Sequence, residues 1–360
     1  ANLAPLLYCK YTLFILGNLA AALHLVGADW QPPCPELLLP LGISFFTFQG
    51  VAYLVDVAAG EKPLRELTNA LLFMAFWPKL IAGPIVRADE LRAQLESPRK
   101  LDYADCAAGC QRLLWGFFKK VVLADNLAAV ADLVFLPQAH PQALDSLVGL
   151  LSFSMQVYFD FSAYTDIAVG SALLLGYRLP ENFDWPYLAR SPQDFWNRWH
   201  ITLSRWIRDY LFTPLSFATR RHPGWRPVWL LVAMGICGLW HGAAGTFVLW
   251  GLWHGLLLVL NHTVLKRFFP AAQAGVGRWR ELAALVVTLG LVNLGWLLFR
   301  CDSAGQAWEM LLSMATLQGG LRPSVVRENA VLLIGLVFLG LMAAMVLADW
   351  SRKPALADWT

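Results

Sequence analysis

Residues 228–265 read VWLLVAMGICGLWHGAAGTFVLWGLWHGLLLVLNHTVL, a run of 38 positions with no Asp, Glu, Lys or Arg. A helix crosses the hydrocarbon of a bilayer with about 20 apolar residues, so this run is too long for one crossing and slightly short for two. Its centre, Gly242-Ala243-Ala244-Gly245, is built of small residues that let a substrate or a neighbouring backbone approach closely. The stretch therefore reads as two short or re-entrant helices meeting near 242–245, with His241 inside the protein beside the break. An imidazole is costly to bury without a partner or a task, and it is the side chain best suited to moving protons near neutral pH.

The rest of the chain has the same character. Of 360 residues, 58% are hydrophobic and 15% charged, with 17 tryptophans and 21 phenylalanines. A soluble domain carries roughly 25% charged residues, so these charges are too few to cover a water-facing surface. Only helices and closed barrels satisfy their backbone in lipid, and these apolar runs are continuous, without the alternation of barrel strands. The fold class is therefore all-α, a polytopic transmembrane helical bundle surrounded by membrane lipid. The net charge of +3 lies mostly in loop Arg and Lys and reads as topology signal. No basic run is long enough to track phosphates, which argues against a nucleic-acid partner.

Further spans fall at about 5–27, 37–58, 67–86, 104–124, 144–176, 281–299 and 329–348. Lys10 interrupts the first and is expected to snorkel. The third ends in FWPKLIAGPIVR (76–87), where Pro78, Gly83 and Pro84 break helix. It is either a kinked helix end or irregular backbone lining a cavity, which lipid would otherwise forbid. Residues 88–102 read as an amphipathic surface helix, and QRLLWGFFKK (111–120) as an interfacial one. Between 178 and 227 only short apolar pieces occur, divided by Pro180, Pro186, Pro192, Pro214 and Pro223. Arg198, Arg205, Arg208, Arg220, Arg221 and Arg226 precede the 228–265 run, while Lys266, Arg267, Arg278 and Arg280 follow it. If the run crosses twice, both loops lie on one side, most simply the cytoplasm, and Arg352 and Lys353 join them after two more crossings. The six cysteines lack metal-ligand spacing and read as structural. The chain starts at Ala1 without a charged n-region, unlike a cleaved signal peptide.

The candidate chemistry lies within 192–255. For His241, in GLWHGAAG, the plain alternative to a task is a hydrogen bond across helices. His254, in WGLWHG, fits that alternative better, as a second packing site. His200 lies in WNRWHITLSRWIRD, the most polar helix at apparent membrane depth. Helical spacing there puts Trp196, His200 and Ser204 on one face and Arg205 and Asp209 on another, with a local ion pair as the plain account of Asp209. Asp160 and Asp166 stand in apolar surroundings off each other's face, and intramembrane ionisable residues are functional candidates by default. HExxH, GxSxG, the P-loop and GxGxxG are absent, which excludes the commonest hydrolase, metal and nucleotide signatures. An enzyme with one general base stays open.

Five segments, taken in order, resemble the membrane-bound O-acyltransferase superfamily. They are LPLGISFFTFQGVAYLVDV (39–57), FWPKLIAGPIVR (76–87), QVYFDFSAYTDIAVG (156–170), LPENFDWPYLARSPQDFWNRWHITLSRWIRDYLF (179–212) and GLWHGAAGTFVLWGLWHG (238–255). The resemblance is closest to the bacterial branch of the alginate O-acetyltransferase membrane subunit and its relatives that acetylate peptidoglycan or cellulose. It implies a single transmembrane domain over 1–360 around a central tunnel, lacking N-terminal helices usual in the family. An acyl group would arrive from the cytoplasmic side of the bacterial inner membrane as a thioester, typically acetyl-CoA. It would leave on an outer-face acceptor, with no permanently bound cofactor and no metal.

The family's WHG histidine falls on His241, to which the resemblance carries the catalytic role. Its RWH histidine falls on His200, which the resemblance implies would line the donor end of the tunnel or help position the acyl group. Trp240, Asn197, Trp199, Asp209 and Asp160 are the candidates for tunnel lining or support. A neutral His241 would take the proton of an attacking hydroxyl, while Trp or Asn side chains or broken-helix amides would serve the oxyanion. The chain has no SGNH-type domain, so the resemblance implies an SGNH-type periplasmic acetyltransferase and a polysaccharide-synthesis complex as partners. Two other functions fit parts of the sequence. One is a non-enzymatic transporter or export scaffold, suggested by broken helices and buried Asp160 and Asp166; the other is acyl transfer to a protein or lipid hydroxyl. The RWH and WHG pair favours the transferase, and the 179–212 segment favours a glycan acceptor.

Overall fold

The computed structural model describes residues 3–38, 40–97, 101–265, 278–320 and 322–352, and every regular element among them is helical. In chain order the helices are α1 (Leu3–Leu25), α2 (Ile43–Ala58), α3 (Leu67–Ala75), α4 (Trp77–Leu80), α5 (Ala88–Leu95), α6 (Tyr103–Phe117), α7 (Asp125–Phe135) and α8 (Ala143–Leu174). There follow α9 (Pro192–Arg198), α10 (Ile201–Ile207), α11 (Thr213–Ala218), α12 (Arg226–His241), α13 (Gly245–Leu260), α14 (Arg278–Arg300), α15 (Ala304–Ala315) and α16 (Glu328–Arg352). Wider π-turns occupy Leu7–Tyr11 within α1, Phe118–Ala124, Arg208–Phe212 and Asn261–Leu265. Among the described residues three stretches, Leu3–Leu25, Gly245–Val264 and Trp279–Arg300, are long and apolar enough to cross a membrane. The chain forms two compact units, one of residues 1–114, 164–181 and 239–244, the other of 115–163, 182–238 and 245–360.

In the first unit, α2 begins late because Gly42 adopts a left-handed conformation (φ 73°) just before it. A Cβ at Gly42 would stand 2.6 Å from the Leu80 carbonyl oxygen, so only glycine fits. The 67–86 span is not one helix. Helix α3 stops before Pro78, α4 makes a single turn, and residues 81–87 are irregular. That irregular backbone is buried in protein, with Val86 in a core of Phe73, Phe76, Leu91, Val169 and Ala172. Such burial is one way non-helical backbone survives at membrane depth. The charged 88–102 stretch is helical only over α5, and its Pro98, Arg99 and Lys100 lie outside the described residues. Helices α6 and α8 cross at Gly109 and Gly170, where a Cβ on either would fall 2.8–2.9 Å from the other's carbonyl oxygen. Arg112 pairs there with Asp166 (3.1 Å) and Glu181 (2.6 Å).

In the second unit, α12 and α13 cross at glycines. An ideal Cβ at Gly238 would lie 2.1 Å from the Phe247 carbonyl oxygen, and one at Gly251 2.2 Å from that of Met234. Small residues permit this approach between membrane helices. Helix α12 ends at His241 and α13 starts at Gly245, so the break falls where the length of the run requires it. Prolines 192, 214 and 223 each open a short helix, the position where a missing N–H is harmless. The continuous helix expected through His200 is instead two, α9 and α10, because His200 is left-handed (φ 42°). Trp196, His200 and Ser204 consequently do not share a helical face. The QRLLWGFFKK segment is helical and exposes Leu114, Trp115, Phe117 and Phe118, but its two lysines differ. Lys119 is buried and donates to Ser162 Oγ (3.0 Å), and Lys120 pairs with Asp125 (2.9 Å) and Asp160 (2.7 Å). At the start of α8, buried Asp145 accepts from the backbone N–H groups of Gln142, Ser324, Val325 and Val326 and from the Ser324 hydroxyl. Of the positive loop residues, Lys266, Arg267 and Lys353 lie outside the described residues.

Candidate active site

In the first unit the site is built on the end of α12. The last carbonyls of a helix have no partner within it. Here the Tyr11 hydroxyl donates to the Leu239 carbonyl at 3.0 Å, and the Lys10 ammonium donates to that of Trp240. Lys10 therefore does not snorkel as expected; it turns inward, its Nζ 5.9 Å from the Trp240 ring centroid. Trp240 is buried, stacked on Phe48 (5.0 Å between centroids) and edge-on to Phe45 (5.4 Å) of α2. The His241 ring meets Trp240 edge to face at 4.8 Å and is partly exposed, so it is braced yet not sealed in the core.

In the second unit His200 is almost fully buried at the α9–α10 break. Asn182 Oδ1 accepts from the Thr202 amide (3.2 Å) and hydroxyl (2.9 Å), and lies 3.1 Å from His200 Nδ1. The amide donor fixes that atom as an acceptor. In the neutral ring Nδ1 must then carry the proton, which leaves Nε2 as the basic nitrogen. A left-handed backbone at a non-glycine residue costs roughly 1–2 kcal/mol and clusters at functional sites. The Asn182 bonds and an edge-on Phe161 ring at 4.6 Å hold it in place.

The supporting candidates separate. Trp199 belongs to an aromatic core, stacked on Phe195 (5.6 Å) and beside Trp296 (4.9 Å). Asp209 forms a two-pronged pair with Arg208 (2.6 and 3.1 Å), as its neighbours predict. The Asp160 side chain is 46% exposed and paired to Lys120, not buried. His254 accepts at Nδ1 from Trp196 Nε1 (3.3 Å) inside a cage of Phe195, Trp250 and Trp296, which fits its packing role. Asn197 is exposed and lines a cavity.

That cavity, about 810 Å³ and wholly within the second unit, is walled by Trp196, Leu230, Met234, Cys237 and Leu258 and rimmed by Arg205, Arg208, Arg226 and His262. Two of the π-turns contribute to it, through Arg208 and His262, and π-turns recur at functional sites. Arg208 is neutralised by Asp209. Arg205 and Arg226 have no carboxylate partner among the described residues; the Arg226 guanidinium lies 5.9 Å from the Phe212 ring. An apolar wall with a cationic rim suits an amphipathic anion. Reading these arginines only as topology signal missed the cavity, whose residues are too scattered to leave a local pattern. Lys10 did carry a signal, an ion inside a span, and so did Asn182, a polar residue beside the RWH segment.

The chain belongs to the membrane-bound O-acyltransferase family, whose model matches residues 55–289. Among individual relatives, it is 39% identical over 321 residues to "Probable alginate O-acetylase AlgI" of Pseudomonas aeruginosa, covering 87% of this chain and 58% of that protein. It is 35% identical over 349 residues to "Peptidoglycan O-acetyltransferase" of Helicobacter pylori, covering 89% and 64%. To "Teichoic acid D-alanyltransferase" of Bacillus subtilis it is 31% identical over 285 residues, covering 75% and 71%. The chain spans 54–62% of the lengths of the alginate-type relatives.

Proposed function

We propose that this chain belongs to a membrane O-acetyltransferase of the bacterial inner membrane. It moves acetyl from cytoplasmic acetyl-CoA through a tunnel to an extracytoplasmic hydroxyl, for O-acetylation of alginate or a similar exopolysaccharide or cell-wall glycan. The observation that carries the reading is His241, a partly exposed imidazole braced on Trp240 at the broken end of a helix. Relatives named for alginate, peptidoglycan and teichoic acid support it.

His241 takes the proton of the acceptor hydroxyl as its oxygen attacks the thioester carbonyl. The tetrahedral intermediate collapses, the C–S bond breaks, and the departing thiolate recovers the proton from the imidazolium. Ester and thiol result. The cavity receives the donor, with Arg205 and Arg226 on its phosphates and the apolar wall along its pantetheine arm. Along α12 the cavity residues Arg226, Leu230, Met234 and Cys237 recur at i, i+4, i+8 and i+11, one face of that helix. His200, with its basic Nε2, positions the acyl group. An SGNH-type periplasmic acetyltransferase within a polysaccharide-synthesis complex receives the acetyl and completes transfer to the polymer.

The transporter reading drew on broken helices and on buried Asp160 and Asp166; of these, Asp160 is half-exposed and paired with Lys120, and Asp166 is buried but paired with Arg112. The test is acetyl incorporation into extracellular polymer in a strain lacking its native enzyme, complemented with the full-length gene, intact or His241→Ala. Loss of acetylation at matched membrane abundance is expected. Normal acetylation by the variant would sink the assignment of the base.

A further inference from the structure

We infer that Lys10 and Tyr11 are positioning residues for the base: α1 grips the carboxyl end of α12 and thereby sets where His241 stands. The inference rests on His241 being the base. Lys10 lies inside the Leu3–Leu25 span, which is long and apolar enough to cross a membrane. An ion at such depth is expensive unless it has a partner or a function, and its flexible stem would ordinarily carry the ammonium outward. Instead the ammonium binds the Trp240 carbonyl, directly before His241.

The neighbouring residue does the same one step back, Tyr11 Oη donating to the Leu239 carbonyl at 3.0 Å. Consecutive helical side chains normally diverge by about 100°. Within the π-turn Leu7–Tyr11 both reach the last turn of one helix. Leu6, Tyr11 and Ile43 form a buried cluster against which Leu239 and Ala243 pack, so contacts fall on both sides of His241 in sequence. A helix ending in an apolar environment must find donors for its last carbonyls, and a cation there also suits the negative end of the helix dipole. The two donors therefore fix the backbone that carries the base, and Trp240, stacked on Phe48 of α2 and edge to face with the histidine, braces its ring.

The test uses the full-length protein in inverted membrane vesicles from its native host, with thiol release from acetyl-CoA measured per mole of folded enzyme. Fluorescence-detected size exclusion supplies the amount folded. Lys10→Met should lower kcat about 10–100-fold, since a displacement near 1 Å has effects of that order, while KM for acetyl-CoA moves less than about twofold. Tyr11→Phe should give a smaller fall in kcat, and Lys10→Arg, which keeps a cationic donor, should restore most of the loss. A purely structural brace would reduce the folded amount and leave kcat per folded molecule unchanged. An unchanged kcat in Lys10→Met, or a fall that Lys10→Arg fails to restore, overturns the inference. Turnover retained by His241→Ala in the same vesicles would instead overturn the base assignment beneath it.

Discussion

Gly251→Ala places one methyl group in the crossing of α12 and α13. The new Cβ would stand 2.2 Å from the Met234 carbonyl oxygen and 3.0 Å from the Gly238 nitrogen. A close carbon–oxygen contact is about 3.3 Å, so the helices must part by about 1 Å. The obstructing atoms are helix backbone and cannot rotate aside. Overpacking a well-packed interior costs about 1–3 kcal/mol, and parting helices by this amount forfeits a quarter to a half of each contact along the seam. Gly290→Ala in α14 is the matched control, because its Cβ meets nothing within 4 Å. There alanine should stabilise, by up to about 1 kcal/mol from helix propensity. The two substitutions, chemically identical, are expected to differ by roughly 2–4 kcal/mol in opposite directions.

Thermal unfolding of the purified protein in detergent, followed by size-exclusion retention after heating, reads that difference. Activity should follow it, because Met234 and Leu258 on these two helices wall the cavity. A shift near 1 Å in such a wall can lower kcat/KM by as much as about 100-fold. If Gly251→Ala proves as stable and as active as the parent, the helices can separate freely and the argument from the close crossing is refuted.

Two further substitutions test other parts of the structure. Arg205→Gln and Arg226→Gln should each raise KM for acetyl-CoA roughly 10–150-fold, the worth of one charge-assisted contact, with the effect shrinking as salt rises. Acetyl-pantetheine, which lacks the nucleotide phosphates, should show no such difference, and equal KM values for acetyl-CoA across the set would remove the donor from this cavity. Asp145→Asn replaces one carboxylate oxygen by NH2, which turns N–H groups toward two of the four backbone donors, either Gln142 and Ser324 or Val325 and Val326. Stability should fall by about 2–4 kcal/mol, and limited proteolysis should cut near 322–327 faster than in the parent; an unaltered cleavage pattern would show that the carboxylate is not what holds this segment.

Features set by chain length and local chemistry were legible in advance. The interruption at 242–244 follows from an apolar run too long for one crossing with glycines at its centre, and Arg208 beside Asp209 pairs as adjacency suggests. The features that were hidden depend on partners far away in sequence. Whether Lys10 snorkels or turns inward is decided by carbonyls 230 residues on, and nothing near it in the chain reports them. Lys119 looked interfacial until Ser162 supplied a buried acceptor. Any non-glycine residue is uncommon at positive φ, so an unbroken helical face through His200 was the natural reading. Asn182 overrides it, offering one oxygen to three donors that a continuous helix could not bring together.

His241 and His200 both stand at interruptions of helix, and this bears on how the surrounding polar residues should be understood. A histidine within a regular helix has its backbone bonds satisfied locally and its ring direction limited by the helix surface. At an interruption the ring gains freedom of direction, but unpaired backbone groups appear beside it in an apolar setting. Each break is accompanied by groups that take up what it leaves unpaired: the Lys10 and Tyr11 side chains on the carbonyls before His241, and Asn182 after His200, its backbone carbonyl accepting from the Ile201 amide and its Oδ1 from the Thr202 amide. These residues bind backbone, and in the case of Asn182 the imidazole as well. Their geometry therefore argues against counting them as additional acids or bases. They are what allows a base to stand at a broken helix without the break collapsing, so their substitution should act on the placement of the histidines before it acts on any proton.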